Sequence, residues 1–161
     1  MGLVEGPNDL LYGVTPRGGS NDAGVFFHMS KDGGTYNVFR EWPATGLREP
    51  NSRLLLASDG NFYGSASKGG VANKGGIYRI SAGGAYKEIY EFTDTSEGYN
   101  AFRGLLEGAD GYLYGCAFSG TTTSGGSVFR IAKDGSSFAV LHRFTSGVAE
   151  GANPGSNLLE S

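Results

Sequence analysis

Few residues in this chain have types and spacing that could do chemistry. Asp59 and Asp110 each precede a glycine, as the last acidic position of a calcium loop does, but a D-x-[DN]-x-[DN]-G loop needs several alternating oxygen ligands and neither segment supplies them. Both read as hairpin turns. Arg17-Gly18-Gly19 and Lys68-Gly69-Gly70 have the composition of a phosphate cradle. They join strand to strand, whereas a phosphate loop opens a helix. His28 and His142 stand in unrelated settings without a nearby grouping of Asp, Glu or Cys, which is poor ground for zinc or a general base. No G-x-S-x-G nucleophile turn occurs between a strand and a helix. Cys116 is the sole cysteine, so it forms no internal disulfide and reads as a buried thiol. No catalytic, cofactor-binding or metal-ligating residue is assigned, no cofactor is expected, and the chain reads as a non-enzyme.

The elements that must position any site follow from composition. The 161 residues suffice for one domain, which at this size buries about 70% of its unfolded surface. With 29 Gly, 12% aromatic and only 18% charged residues, the chain is rich in turn-formers and strand-formers, and the expectation is all-β. A net charge of -3 and a pI near 5.3 offer no basic field for nucleic acid or an anionic membrane. The longest aliphatic run, Leu54-Leu55-Leu56-Ala57, is far short of the ~20 residues that span a bilayer. No membrane insertion and no nucleic-acid partner are expected. Met1-Gly2 leads directly into an apolar strand, without the regions of a signal peptide.

An internal repeat organises the whole chain. Tyr12-Gly13, Tyr63-Gly64 and Tyr114-Gly115 are 51 residues apart, as are Gly18, Gly69 and Gly120; Phe27, Tyr78 and Phe129; and Leu3, Leu54 and Leu105. The register slips only later, where Trp42, Phe92 and Phe144 are 50 and 52 apart. The repeats run from about 1–51, 52–102 and 103–154, with a partial fourth at about 155–161. Each copy reads as four short strands. In the second these are strand A (Arg53 to Ser58), strand B (Asn61 to Ser67), strand C (Gly76 to Ser81) and strand D (Tyr86 to Phe92). Ile77 opposes Tyr78 and Ile80 across the third of these strands, so both faces of the sheet should be covered. Cys116 has Val14 and Ser65 as counterparts, a packing position. The periodic Tyr12, Tyr63 and Tyr114 read as packing between units with their hydroxyls hydrogen-bonded.

Two architectures use such units: β-propeller blades, which the extra C-terminal strand favours, and the alternative β-trefoil, which is complete at twelve strands. The segments "DGNFYGSASKGGVANKGGIYRIS" and "DGYLYGCAFSGTTTSGGSVFRIAKDG" resemble the Gloeo-Verruco tandem repeat. The shared marks are Asp-Gly, then Tyr-Gly, a glycine-rich stretch and an aromatic followed by Arg. The first copy departs, with Asn8-Asp9 for Asp-Gly and Phe27-His28 for aromatic-Arg. The resemblance implies propeller-like arrays and a bacterial, extracellular or cell-surface setting, and it carries no catalytic residues.

Three blades are too few for a ring, since propellers begin at about four. An open arc would leave an apolar face at each end, which head-to-tail pairing removes: two chains give six blades and three chains give nine, the dimer being favoured. The expected partner is the chain itself. The segment Asn157 to Ser161 aligns with Gly2 to Gly6 and competes with it for the innermost strand, as in an excised or engineered set of blades. The functional expectation is a non-enzymatic, self-assembling scaffold or binding module; the alternative is a lectin-like carbohydrate-binding domain. Binding residues would sit on the B–C and D–A connections, which hold Arg17, Asn21, Arg48, Glu49, Lys68, Glu97 and Tyr99.

Overall fold

The computed structural model describes residues 2–94, 96–101, 103–120, 124–145 and 151–154. The fold is all-β, without a helix among these residues. The first sheet has the order β1 (Val4–Glu5), β2 (Leu10–Thr15), β3 (Val25–Ser30), β4 (Tyr36–Glu41). The second contains β5 (Arg48–Pro50), β6 (Leu55–Leu56), β7 (Asn61–Lys68), β8 (Gly76–Ser81) and β9 (Tyr86–Glu91). The third has the order β10 (Leu106–Glu107), β11 (Leu113–Ala117), β12 (Ser124–Ile131), β13 (Ala139–Thr145). All pairings are antiparallel, and no pairing among the described residues joins one sheet to another. A trefoil would instead close its strands into a barrel.

The innermost strand of the second sheet is longer than its apolar pattern suggests. Both β5 and β6 pair with β7, β5 against Ala66 and Lys68 and β6 against Phe62 and Tyr63. Between them the Ser52 hydroxyl accepts the backbone N–H of Ser65 at 2.7 Å, so a side chain bridges the gap in the ladder. The third sheet repeats this with an isolated bridge, Tyr99 to Ser119, ahead of β10. Each outer hairpin carries a bulge at the same repeat position: between Phe26 and Phe27, between Ile77 and Tyr78, and between Val128 and Phe129.

The pairing register explains the Tyr-Gly and aromatic marks together. Gly13, Gly64 and Gly115 lie directly opposite Phe27, Tyr78 and Phe129 across the central strand pair. The ring lies over its glycine so closely that a Cβ on Gly64 would sit 2.4 Å from the Tyr78 hydroxyl oxygen, and one on Gly115 2.5 Å from Phe129 Cζ. Only glycine leaves room for this close cover.

The sheets stack face to face around two cores. Tyr12, Val14 and Phe26 of the first sheet meet Leu54, Phe62, Tyr78 and Ile80 of the second, with the Tyr12 and Phe62 rings 4.6 Å apart. On the second sheet's other face, Tyr63, Ile77 and Ile89 meet Leu105, Leu113, Phe129 and Ile131 of the third. Both faces of β8 are therefore covered, as its sequence requires. The two cores are copies of one arrangement: Trp42 meets Tyr78 edge-on at 5.2 Å, and at the equivalent place Phe92 meets Phe129 at 5.7 Å. The proposed competition for the innermost strand by Asn157 to Ser161 falls outside the described residues.

Candidate functional site

The aspartates of the Asp-Gly turns serve the turns themselves. Asp59 accepts the backbone N–H of Asn61 at 3.1 Å and the Tyr63 hydroxyl at 2.8 Å; Asp110 accepts Tyr112 N–H at 3.2 Å and the Tyr114 hydroxyl at 2.7 Å. Burial acts to raise the Asp59 pKa, but the bonds from Asn61 and Tyr63 outweigh it and hold the carboxyl below its ordinary value. The same contact, added to burial, pushes the Tyr63 hydroxyl well upward. Tyr63 and Tyr114 thus have bonded hydroxyls, and the ring faces are not stacking platforms at the first two positions, where Tyr12 and Tyr63 are buried.

The glycine-rich connections already hold acceptors of their own, three carboxylates and one amide. Gly18 N–H donates to Asp22 at 2.9 Å and Ser20 N–H to Glu41 at 2.9 Å; Gly69 N–H donates to Asn73 at 3.0 Å and Val71 N–H to Glu91 at 2.8 Å. The donors that would greet a phosphate are filled by side chains of the same unit. The Ser20 hydroxyl and N–H hold Glu41 below its ordinary pKa. His28 packs against Phe39 on the first unit, while His142 is exposed on the third beside Phe144. Cys116 is buried on β11, and burial raises its thiol pKa. Among the described residues no three His, Cys, Asp or Glu side chains are grouped as metal ligands would be.

Of the seven loop residues singled out by sequence, three converge. Asn21, Arg48 and Glu49, with Asp22, Ala23 and Ala44, line a cleft of about 130 Å³ where the first unit's B–C loop meets the entry to β5. Arg17 and Lys68 flank it as ion-pair partners of Asp22 at 3.2 Å and Glu49 at 2.9 Å. Arg48 donates to Asn73 at 3.3 Å, and Asn21 to the Trp42 carbonyl at 3.1 Å. The cleft offers paired charges and amides, a surface suited to hydrogen-bonding a small polar group. Glu97 and Tyr99 lie at the next junction, where Glu97 accepts the Tyr90 hydroxyl at 2.8 Å and the Tyr99 ring packs on the second core.

Sequence reasoning missed a second hollow, of about 470 Å³, on the innermost strands between the second and third units. Leu55, Leu56 and Leu106 give it an apolar wall, and Ser58 and Glu107 give it a polar edge. Glu107 accepts both the backbone N–H of Ser58 at 2.7 Å and its hydroxyl at 2.6 Å. Lys133 pairs with Glu107 and donates to Ser58 Oγ at 2.8 Å. Burial acts to raise the Glu107 pKa, yet Lys133 and Ser58 together bring it below its ordinary value. These contacts join Ser58 of the second unit to Glu107 and Lys133 of the third, so the group is a clasp between units. Glu107 and Lys133 belong to no local motif; their recurrence in register with Glu5 and Lys31 of the first unit was the available signal.

One solved structure agrees with this architecture. A chain of a nidogen/laminin complex superposes with a TM-score of 0.61 at 13% identity over 87% of this chain, a likeness to a β-propeller that concerns the fold alone. A 6-phosphogluconolactonase-like protein from Bacteroides uniformis gives a TM-score of 0.48 at 17% identity, over 81% of this chain and 36% of its own. The present chain spans 46% of the matched nidogen/laminin chain. No curated protein sequence matches it. The family model for the Gloeobacter/Verrucomicrobia repeat matches residues 1–161, and the chain belongs to that repeat family.

Proposed function

We propose that the chain is a non-enzymatic scaffold or binding module made of three β-propeller blades, and that it closes into a ring by pairing head to tail with copies of itself. The observation that carries this reading is the condition of the two outer faces. Leu54, Phe62, Tyr78 and Ile80 of the second unit are 2%, 0%, 0% and 0% exposed. Their counterparts on the first unit, Leu3, Leu11, Phe27 and Met29, are all partly or fully open, Leu3 at 43%. At the other end, Tyr114 and Val128 are half-buried, whereas their counterparts Tyr63 and Ile77 are 0% exposed. The third unit thus presents the face that the first two use to cover a following unit, and the first presents the face that such a unit offers. Apolar faces of this kind signal association.

Two chains would supply six blades and three would supply nine, with the dimer preferred. The loop-face cleft at Asn21, Arg48 and Glu49 is the binding surface in this reading. Sedimentation equilibrium of the purified chain tests it: a mass two or three times 16.8 kDa is expected. A single species at 16.8 kDa across the micromolar range rejects the ring.

A further inference from the structure

The clasp between the second and third units has a counterpart that holds nothing across a junction. By the 51-residue register, Glu107 and Lys133 correspond to Glu5 and Lys31 on the first unit, and Ser58 corresponds to Pro7 and Ala109. At the junction of the second and third units the clasp is complete, with Ser58 donating its N–H at 2.7 Å to Glu107. At the junction of the first and second units both halves are gone together. Pro7 has no N–H, and Leu56 and Ala82 replace the acid and the lysine and pack against the first core. Donor and acceptor are thus present or absent as a pair.

The remaining half-clasps lie at the two ends. Lys31 pairs with Glu5 at 2.8 Å, and also with Asp9, on the open face of the first unit. Their side chains are 45% and 60% exposed, against 22% and 18% for Lys133 and Glu107. Ala109 is exposed at the rim of the inner hollow. Its turn is closed by Gly108 N–H to the Tyr112 carbonyl at 2.9 Å and Gly111 N–H to the Gly108 carbonyl at 2.8 Å. The turn around Ser58 has the same two bonds, Ala57 N–H to the Asn61 carbonyl at 3.0 Å and Gly60 N–H to the Ala57 carbonyl at 2.9 Å. Ala109 N–H is therefore presented as Ser58 N–H is, and among the described residues it makes no hydrogen bond.

We infer that Glu5, held by Lys31, accepts the backbone N–H of Ala109 from a second copy of this chain, so that the intermolecular junction repeats the clasp made between the second and third units. This rests on the head-to-tail reading above and names the polar contact that sets its register. Lacking a hydroxyl, Ala109 supplies one of the two bonds that Ser58 gives, and Asp9 occupies Lys31 in place of the missing oxygen.

The test compares self-association by sedimentation equilibrium at low and high salt for the full chain and three variants. Ala109→Pro removes the donor and installs the residue that stands at Pro7. The Glu5→Leu/Lys31→Ala pair installs the residues of the second unit. Each is expected to weaken association by roughly ten- to a hundredfold for every junction in the ring, the loss of one hydrogen bond to a charged group at each. The triple variant reproduces the complete apolar junction, so it should recover association to within about threefold of wild type and lose the salt dependence. Association of both single-sided variants equal to wild type, or a triple variant no tighter than either, overturns the clasp while leaving the ring in place. A wild-type chain that never associates overturns the ring as well. Glu5 and Lys31 are exposed, so their pair carries the test even if Ala109→Pro disturbs folding.

Discussion

Glu107 shows how a single carboxylate can join two repeat units. It caps a free N–H of one unit, receives that unit's serine hydroxyl and neutralises a lysine of its own. Glu107→Ala should lower unfolding free energy by about 1–2 kcal/mol, because Ser58 N–H and Lys133 lose a charged acceptor at a partly buried place. Chemical denaturation at pH 7 measures this. The same carboxyl supplies an acid dependence of known sign. Its pKa lies below 4.5 in the folded chain, so its stabilisation is complete above about pH 4.5 and is lost as pH falls through the lowered value. Denaturation midpoints should fall below that pH, and the Glu107→Ala variant should lose less over the same interval. Trp42 gives a contrasting case. Its ring is fully buried against Tyr78 and Tyr86, yet Nε1 has no partner among the described residues. Trp42→Phe installs the residue found at Phe92 and removes the orphan donor, so it should change stability by less than about 1.5 kcal/mol. Trp42→Ala should cost about 3–5 kcal/mol, measured by the same denaturation series.

At the scale of the element, the central strand pair depends on a ring lying over a glycine. A methyl at Gly64 would meet the fully buried Tyr78 ring, with its Cζ 2.6 Å away, and the ring is hemmed in by Trp42 and Tyr86. Gly64→Ala is expected to cost about 2–3 kcal/mol through overpacking. Gly60, in the turn that leads from β6 into β7, has φ of 76° and open space where a Cβ would sit. Gly60→Ala should cost only about 1–2 kcal/mol, from left-handed backbone strain alone. Thermal unfolding of the two variants separates the mechanisms; equal costs would refute the ring-over-glycine account. The same hairpins show what was legible. Strand β8 and the start of β9 fall where the apolar alternation places them, whereas β5 escaped notice because Arg48-Glu49-Pro50 has no strand-like pattern. It pairs because the end of β7 offers free ladder groups and Ser52 bridges the interruption.

For the molecule as a whole, one repeat position takes its meaning from its neighbour. Ile77 is fully buried between the second and third units, while Val128, its counterpart, is half-buried on the outer face of the third. Ile77→Glu should unfold the chain, since it buries an unpaired charge. Val128→Glu should leave the circular dichroism spectrum and the denaturation midpoint of the single chain nearly unchanged and should abolish association. Unaltered association of Val128→Glu by light scattering would count against the head-to-tail face.

The sequence by itself determined the repeat, the all-β class, the turns at Asp59-Gly60 and Asp110-Gly111 and the two-sided burial of β8. Each of these follows from local chemistry: side-chain alternation, turn residues, and a period that survives because loops absorb its slips. Tertiary structure alone decided which residues share a site. Asn21 meets Arg48 and Glu49 only because the B–C loop of one unit folds over the entry to the next. Ser58 meets Glu107 and Lys133 across 49 and 75 residues because the sheets stack in sequence order. Such contacts depend on the rotation between neighbouring sheets, a property of packed faces that no local pattern encodes.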